Sequence, residues 1–98
     1  MTTRSLASAL LSLRTEEEVD MFLSDICTAS ERERLGRRFD IASRLFAEQP
    51  YRVITSATGA SSTTVAYVSK WLHWGTGGLR TALKRLPHSA SYYDESAG

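Results

Sequence analysis

The sequence predicts an all-α fold of six helices that contains a helix-turn-helix unit. Apolar residues recur at helical spacing, and no long segment alternates with the period of two that is typical of a strand. Capping or helix-breaking residues, such as Thr15, Pro50 and Gly59, separate the helical stretches. From Pro50 to Gly75, a short helix, a tight turn and a longer helix succeed one another, which is the order of a helix-turn-helix.

Composition excludes several classes of protein. The 98 residues suit one domain with a modest core, and 42% hydrophobic and 23% charged residues are typical of globular chains. The single cysteine, Cys27, excludes a disulfide framework, and neither His73 nor His88 stands at metal-ligand spacing, so we expect no metal and no cofactor. No signal-peptide pattern occurs, and no apolar run approaches the roughly 20 residues of a membrane span. We therefore expect a cytoplasmic protein of bacterial type.

The first two helices are predicted from apolar spacing and a cap. Leucines at helical spacing predict helix one from Leu6 to Leu13. Thr15 followed by three glutamates is a capping-box pattern that predicts the start of helix two, which extends to about Ile26.

The third helix is predicted to begin at a cap, either Thr28 or Ser30, and to end near Ala47. Its apolar residues form more than one stripe, so the helix needs cover on two sides, and a second subunit is a natural source of that cover. Gly36 lies in the middle of this helix, where glycine is unfavourable. Either another backbone approaches it closely, or it is a tolerated defect. The apolar residues are Leu35, Phe39, Ile41, Ala42, Leu45 and Phe46.

The remaining helices form the helix-turn-helix and a C-terminal segment. Pro50 ends helix three and opens helix four, from Tyr51 to about Ala57, and Gly59 supplies the turn. Ser61 or Ser62 caps helix five, which reaches about His73. A last helix spans about 79–86, so the predicted domain is 1–86, with the helix-turn-helix at about 51–73 and a disordered tail at 87–98.

The charges are distributed unevenly. Residues 1–49 carry seven arginines and nine acids, whereas residues 50–93 carry five basic residues and no acid. The positive potential therefore coincides with the helix-turn-helix, as binding to DNA phosphates requires, although ordinary solvation is the alternative explanation.

The faces of helix five separate a core side from a DNA side. Val65, Val68 and Leu72 lie together at about 100° per residue and are expected in the core. Small hydroxyls at the amino end can approach base edges and phosphates, although a plain polar cap would have the same composition. The predicted DNA-binding residues are Arg52, Gly59, Ser61, Ser62, Thr63, Thr64, Ala66, Tyr67 and Lys70.

Three segments carry a resemblance to a known family: E-E-E-V-D-M-F-L-S-D-I-C-T, S-E-R-E-R-L-G-R-R-F-D-I-A, and T-G-A-S-S-T-T-V followed by W-L-H-W-G-T-G-G-L. In order and spacing, the chain resembles the Trp repressor superfamily, and within it the Trp-repressor-like proteins of YerC/YecD type. The resemblance spans about 6–86. It implies six helices in an intertwined homodimer that places each fifth helix in a major groove of a palindromic operator.

The resemblance also implies a ligand pocket. The family's tryptophan site uses a threonine and an arginine that correspond to Thr28 and Arg38, together with an arginine and a serine that are Tyr67 and Trp71 in this sequence. The missing arginine removes a stacking guanidinium, and Trp71 adds bulk. We therefore hypothesise DNA binding without free tryptophan. A different small ligand held by Thr28 and Arg38, or an ion pair between Arg38 and an acid, are the alternatives.

Two further functional classes were compared with a DNA-binding transcriptional regulator, expected to be a repressor. A helical dimeric protein-interaction module that has lost DNA binding is the alternative, and the basic, hydroxyl-rich face of helix five argues against it. An enzyme is not expected, because no nucleophile–base pair, metal cluster or phosphate loop is recognisable.

Overall fold

The computed structural model describes residues 2–86, with side chains from Ser5 onward, and these residues form helices without any strand. The predicted all-α, six-helix fold is confirmed. The predicted tail, 87–98, lies outside the described residues. The helices are α1 (Thr2–Ser12), α2 (Glu16–Ile26), α3 (Ala29–Phe46), α4 (Tyr51–Thr58), α5 (Ser62–Trp74) and α6 (Gly78–Arg85).

The chain divides into two compact units, the first ending at Arg34 and the second beginning at Leu35, so the boundary falls within α3. In the first unit, the predicted cap of α2 is confirmed. The Thr15 hydroxyl accepts a hydrogen bond from the Glu18 amide at 3.0 Å, and the Glu18 carboxylate accepts one from the Arg14 amide at 2.7 Å. This pair satisfies two donors that the helix itself leaves without partners.

Of the two caps considered for α3, Thr28 is the one used. Its hydroxyl accepts a hydrogen bond from the Glu31 amide at 3.1 Å, and its own amide donates to the Glu31 carboxylate at 2.8 Å. The pKa of Glu31 is lowered most by the hydrogen bond from the Thr28 amide. The hydrogen bond with the Thr28 side chain and the nearby charge of Arg34 lower it further. The reciprocal pair favours the ionised carboxylate at the positive helix start.

The described side chains of the first unit include large apolar ones that remain outside any core. Between Ser5 and Arg34, no side chain falls in the buried class, and Leu11 retains 86% of its surface. The leading part of α3 in the second unit is also exposed, with Leu35 at 48% and Phe39 at 36%. The large apolar residues exposed in the first unit are Leu6, Leu10, Leu11, Met21 and Ile26.

The second unit holds the core of the described residues. The carboxyl-terminal part of α3 meets α4, α5 and α6 in one apolar cluster, in which Ile41, Ile54 and Val65 are fully buried. Burying a side chain of this size contributes about 1.5–3 kcal/mol, so this cluster is what holds the helix-turn-helix to α3. Its full membership is Ile41, Ala42, Ile54, Val65, Val68, Leu72 and Leu83, with Leu45, Phe46, Ala60 and Leu79 packed against it.

The connection between α3 and α4 is held by hydrogen bonds in addition to the helix-breaking effect of Pro50. α3 ends at Phe46, and Glu48 adopts a left-handed backbone with φ of 62°. Arg44 donates through Nε to Asp40 at 3.1 Å and through Nη1 to the Gln49 side chain at 3.2 Å. The Gln49 amide in turn donates to the Arg44 carbonyl at 3.0 Å. These contacts satisfy carbonyl and side-chain groups at the helix end before Pro50 begins the next element.

The start of α1 differs from its predicted position by four residues, whereas the other helix boundaries lie within one residue of the predicted ones. α1 starts at Thr2 instead of Leu6, because apolar spacing marks only the apolar part of a helix and its polar first turn carries no such signal. α6 starts at Gly78, directly after Gly77, which adopts the left-handed conformation with φ of 99°. No helix within residues 2–86 combines the length and apolar character needed to cross a membrane.

Alanine at two glycines is expected to have opposite effects on stability. Gly59 has φ of 74°, where a Cβ is strained, so Gly59→Ala lowers the free energy of unfolding by about 1–2 kcal/mol. Gly36 lies inside α3, and beyond its chain neighbours and the adjoining helix backbone no atom comes within 4 Å of a Cβ added there, so Gly36→Ala raises the free energy of unfolding by about 1 kcal/mol. Urea unfolding at equal protein concentration measures both variants. A loss of stability in Gly36→Ala would mean that a backbone approaches this glycine in solution.

A candidate nucleic-acid interface on the second helix of the helix-turn-helix

The turn between α4 and α5 is built by a glycine and a threonine. Gly59 takes the left-handed conformation, as predicted, and its amide donates to the Thr55 carbonyl at 2.9 Å. The Thr58 hydroxyl donates to the Ile54 carbonyl at 2.7 Å and accepts from the Ala60 amide at 3.2 Å, so one side chain joins both sides of the turn. Sequence reasoning missed Thr58, although a threonine directly before a turn glycine is a residue that makes such local bonds.

Thr55 is accommodated without an unsatisfied polar group. Helix-turn-helix units usually have a smaller residue at this position, so Thr55 adds a hydroxyl that needs a hydrogen-bond partner. The Thr55 side chain is half-buried, and its hydroxyl donates to the Arg52 carbonyl at 3.1 Å. The additional hydroxyl therefore bonds within α4.

Ser61, one of the two expected caps, starts α5. Its hydroxyl accepts from the Thr64 amide at 3.1 Å and lies 3.1 Å from the Thr64 hydroxyl. The amides of Ser62 and Thr63 also lie in the first turn, where an α-helix has no carbonyl acceptor of its own for them. A helix of 13 residues thus begins with hydroxyls and outward amides of the kind that bind phosphate oxygens.

The predicted core side of α5 is confirmed. Val65 and Val68 are fully buried and Leu72 retains only 3% of its surface, so these three residues fix how α5 packs. The opposite face is exposed to solvent. It carries Thr63, Ala66, Tyr67 and Lys70, and the residues Ser61, Ser62 and Thr64 at the amino end are exposed as well.

Charge in this half of the chain is of one sign. Between Pro50 and Leu86, five basic residues occur and no acid. Arg52 and Lys70 are exposed on α4 and α5, Lys84 and Arg85 on α6, and Arg80 is half-buried. No group of three or more potential metal ligands lies together in the part of the chain that is described.

A line of aromatic side chains runs along one flank of α5. Tyr67 is 55% exposed, Trp71 42% and Trp74 85%, so exposure is lowest at the middle ring. Trp71 and Trp74 line a shallow depression of about 270 Å³ together with Lys70 and Gly75. A Cβ at Gly75 would collide with the Trp71 carbonyl, which accepts the Gly75 amide at 3.0 Å, so glycine is required where the chain leaves this helix.

The residues expected to form a ligand pocket lie on α3, on α5 and at the amino-terminal cap of α3. The Arg38 guanidinium lies over the Trp71 ring, with its central carbon 5.4 Å from the ring centroid, within the range of a cation–π contact. Tyr67 lies one turn before Trp71 on α5. Thr28 belongs to the first unit, where it caps α3. Sequence reasoning selected both Arg38 and Trp71, but not their contact.

A short helix, a glycine turn and a second helix with a buried apolar stripe and a polar outer face define a helix-turn-helix protein. Comparison with known proteins agrees with this class. The sequence model of the family described as Trp repressor protein matches residues 2–87, and the chain belongs to that family. It is thereby grouped with helical DNA-binding regulators.

Similar proteins come from several bacteria. The chain is 35% identical over 81 residues to the uncharacterized protein YerC of Bacillus subtilis, covering 83% of this chain and 78% of YerC. The crystal structure of a TrpR-like protein from Eubacterium eligens matches with a TM-score of 0.81 at 33% identity, covering 86% of this chain and 87% of that one. A candidate Trp repressor from Staphylococcus aureus matches with a TM-score of 0.80 at 31% identity, covering 86% and 84%.

Proposed function

We propose that this protein is a sequence-specific regulator of transcription that binds double-stranded DNA through α5, as a repressor, in the cytoplasm. The observation that carries the proposal is the outer face of α5. A capped start, exposed hydroxyls and Lys70 lie opposite a fully buried stripe, in a stretch that has no acidic residue. Hydroxyls and amides at a helix start suit phosphate contacts, and small side chains allow base edges to be approached closely. The family is one of regulators, so we do not propose an enzymatic activity.

We further propose that a second copy of the chain completes the fold. The core of the described residues does not bury all of their apolar surface, which stays exposed on the leucines of α1 and on Met21, Ile26, Leu35 and Phe39. Apolar patches of this kind mark interfaces, and closed two-fold dimers are the commonest assembly. A two-fold dimer would present two α5 helices and so select a palindromic operator with half-sites about one helical turn apart.

The alternative function is a helical interaction module that has lost DNA binding. The exposed aromatic residues Tyr67, Trp71 and Trp74 are the observation in its favour, because aromatic side chains are enriched at protein interfaces. The hydroxyl-rich, acid-free face of α5 favours DNA binding over the interaction module.

DNA binding is tested by fluorescence anisotropy on genomic fragments across a salt series. We expect affinity to fall steeply with salt, and Lys70→Ala to weaken binding and to reduce the slope of log K against log salt by about one per subunit. Lys84→Ala removes the same charge from the exposed face of α6 and serves as the control, with a smaller effect expected. Absence of binding at low salt would contradict the proposal and favour the interaction module.

The dimer is tested by analytical ultracentrifugation of the full chain, and we expect about twice the 10.9 kDa chain mass. Leu11→Asp is expected to dissociate the dimer and to lower the free energy of unfolding. In a monomer this side chain would be 86% exposed, and the same change would cost less than about 0.5 kcal/mol. Ala7→Ser, an exposed change on the same helix, is the control. A monomer whose stability is unaffected by Leu11→Asp would refute the proposal.

DNA binding is proposed not to need free tryptophan, because Arg38 already lies over the chain's own indole at Trp71. We expect isothermal titration with L-tryptophan to give no saturable heat in the micromolar range, and DNA affinity to be the same with and without it. L-leucine is the matched control for nonspecific heats. Saturable micromolar binding of tryptophan would overturn the idea, and a different small ligand held by Thr28 and Arg38 remains the competing hypothesis.

A further inference from the structure

The contact between Arg38 and Trp71 joins two helices outside their shared core. Arg38 precedes the buried Ile41 by three residues on α3, and Trp71 directly precedes the buried Leu72 on α5. Both partners remain exposed to solvent, Trp71 at 42%. The pair therefore lies at the margin of the core, where α3 and α5 still face each other but water reaches the ring.

The contact adds an orientation-dependent constraint to the packing of the core. Contacts among Val65, Val68 and Leu72 are apolar, and the hydrophobic effect has no preferred direction. A guanidinium over an indole requires the ring to present its face, so the attraction depends on the rotation of α5 about its axis.

Small rotations of α5 matter for reading DNA. A helix with side chains has a radius of about 5–6 Å, so a 20° rotation displaces its outer atoms by roughly 2 Å. Hydrogen bonds to bases and phosphates tolerate only a few tenths of an ångström in length. The outer face of α5, with Thr63, Ala66 and Lys70, is therefore useful only if its orientation is fixed.

We propose that Arg38 and Trp71 act as a clamp that sets the orientation of α5 for DNA binding. They are positioning residues that need not touch the DNA. The clamp consists of two side chains of the same chain, so the reading face is oriented without an effector. The end of α5 supports the arrangement, because Gly75 closes the helix on the Trp71 carbonyl. This inference rests on the proposed DNA-binding function and states how that function is maintained.

The test uses the full-length protein and a genomic fragment that the wild-type protein binds. Arg38→Met keeps the length of the side chain without the charge, and Trp71→Leu keeps an apolar side chain without the ring. In a dimer with two clamps, we expect each change to weaken binding by about five- to thirtyfold. Arg38→Lys and Trp71→Phe retain a cation and a ring, and should restore part of the affinity.

Two readouts separate positioning from direct contact and from general destabilisation. The salt slope of Arg38→Met should equal that of the wild-type protein, whereas loss of a phosphate contact would lower it by about one per subunit. The double variant Arg38→Met with Trp71→Leu should bind no more weakly than the weaker single variant, because the two residues act through one contact. Arg34→Met removes the same charge from α3 and is the control, expected to leave affinity unchanged. Circular dichroism verifies that each variant is folded at the assay temperature.

A spectroscopic readout follows the contact itself. In a Trp74→Phe background, Trp71 is the one remaining tryptophan, and Arg38→Met should change its fluorescence emission while Arg34→Met should not. Three results would overturn the clamp while leaving the proposed function intact, provided that the wild-type protein binds DNA. They are an unchanged affinity of Arg38→Met, a reduced salt slope of Arg38→Met, and additive losses in the double variant. Failure of the wild-type protein to bind any DNA would instead overturn the proposed function and the clamp with it.

Discussion

Burial of the apolar stripe on α5 is the interaction on which the rest of the second unit depends. Val65, Val68 and Leu72 pack with Ile41 of α3 and Ile54 of α4, and their burial leaves only one face of α5 outside. Because successive residues of a helix are about 100° apart, the choice of the buried stripe determines which side chains are available to a partner. A single packing requirement thus produces the polar surface on which we base the proposed function.

The turn before α5 extends this constraint to the helix start. The left-handed Gly59 forms the turn after α4, and the Thr58 hydroxyl makes hydrogen bonds on both sides of it. Ser61 then closes the first turn of α5. Each of these hydrogen bonds is local, and net contributions of about 0.5–1.5 kcal/mol are typical. Together with the core, they make the amino end of α5 a defined structure, which a surface that reads base sequence needs.

The two units use their apolar residues differently. The second unit buries them in a core that includes Leu83 of α6, whereas Leu11 and Met21 in the first unit remain exposed. The chain therefore has more apolar surface than its own core uses. This imbalance is the physical basis of the proposed dimer, and it explains why the broad apolar surface of α3 is only partly buried, with Ile41 inside and Leu35 outside.

The sequence by itself determined the helices and the two faces of α5, and it limited the caps of α3 and α5 to two candidates each. Thr15, Ser61 and Gly59 act on residues three or four positions away, and such local interactions can be predicted from spacing. Tertiary structure alone decided the left-handed Glu48 and the contact of Arg38 with Trp71, 33 positions apart in the sequence. Periodicity assigns a residue to a face of its own helix, but the ring that a guanidinium meets depends on how two helices pack. For that reason the family resemblance indicated Arg38 and Trp71 separately as candidate pocket residues, and only the structure brought them together.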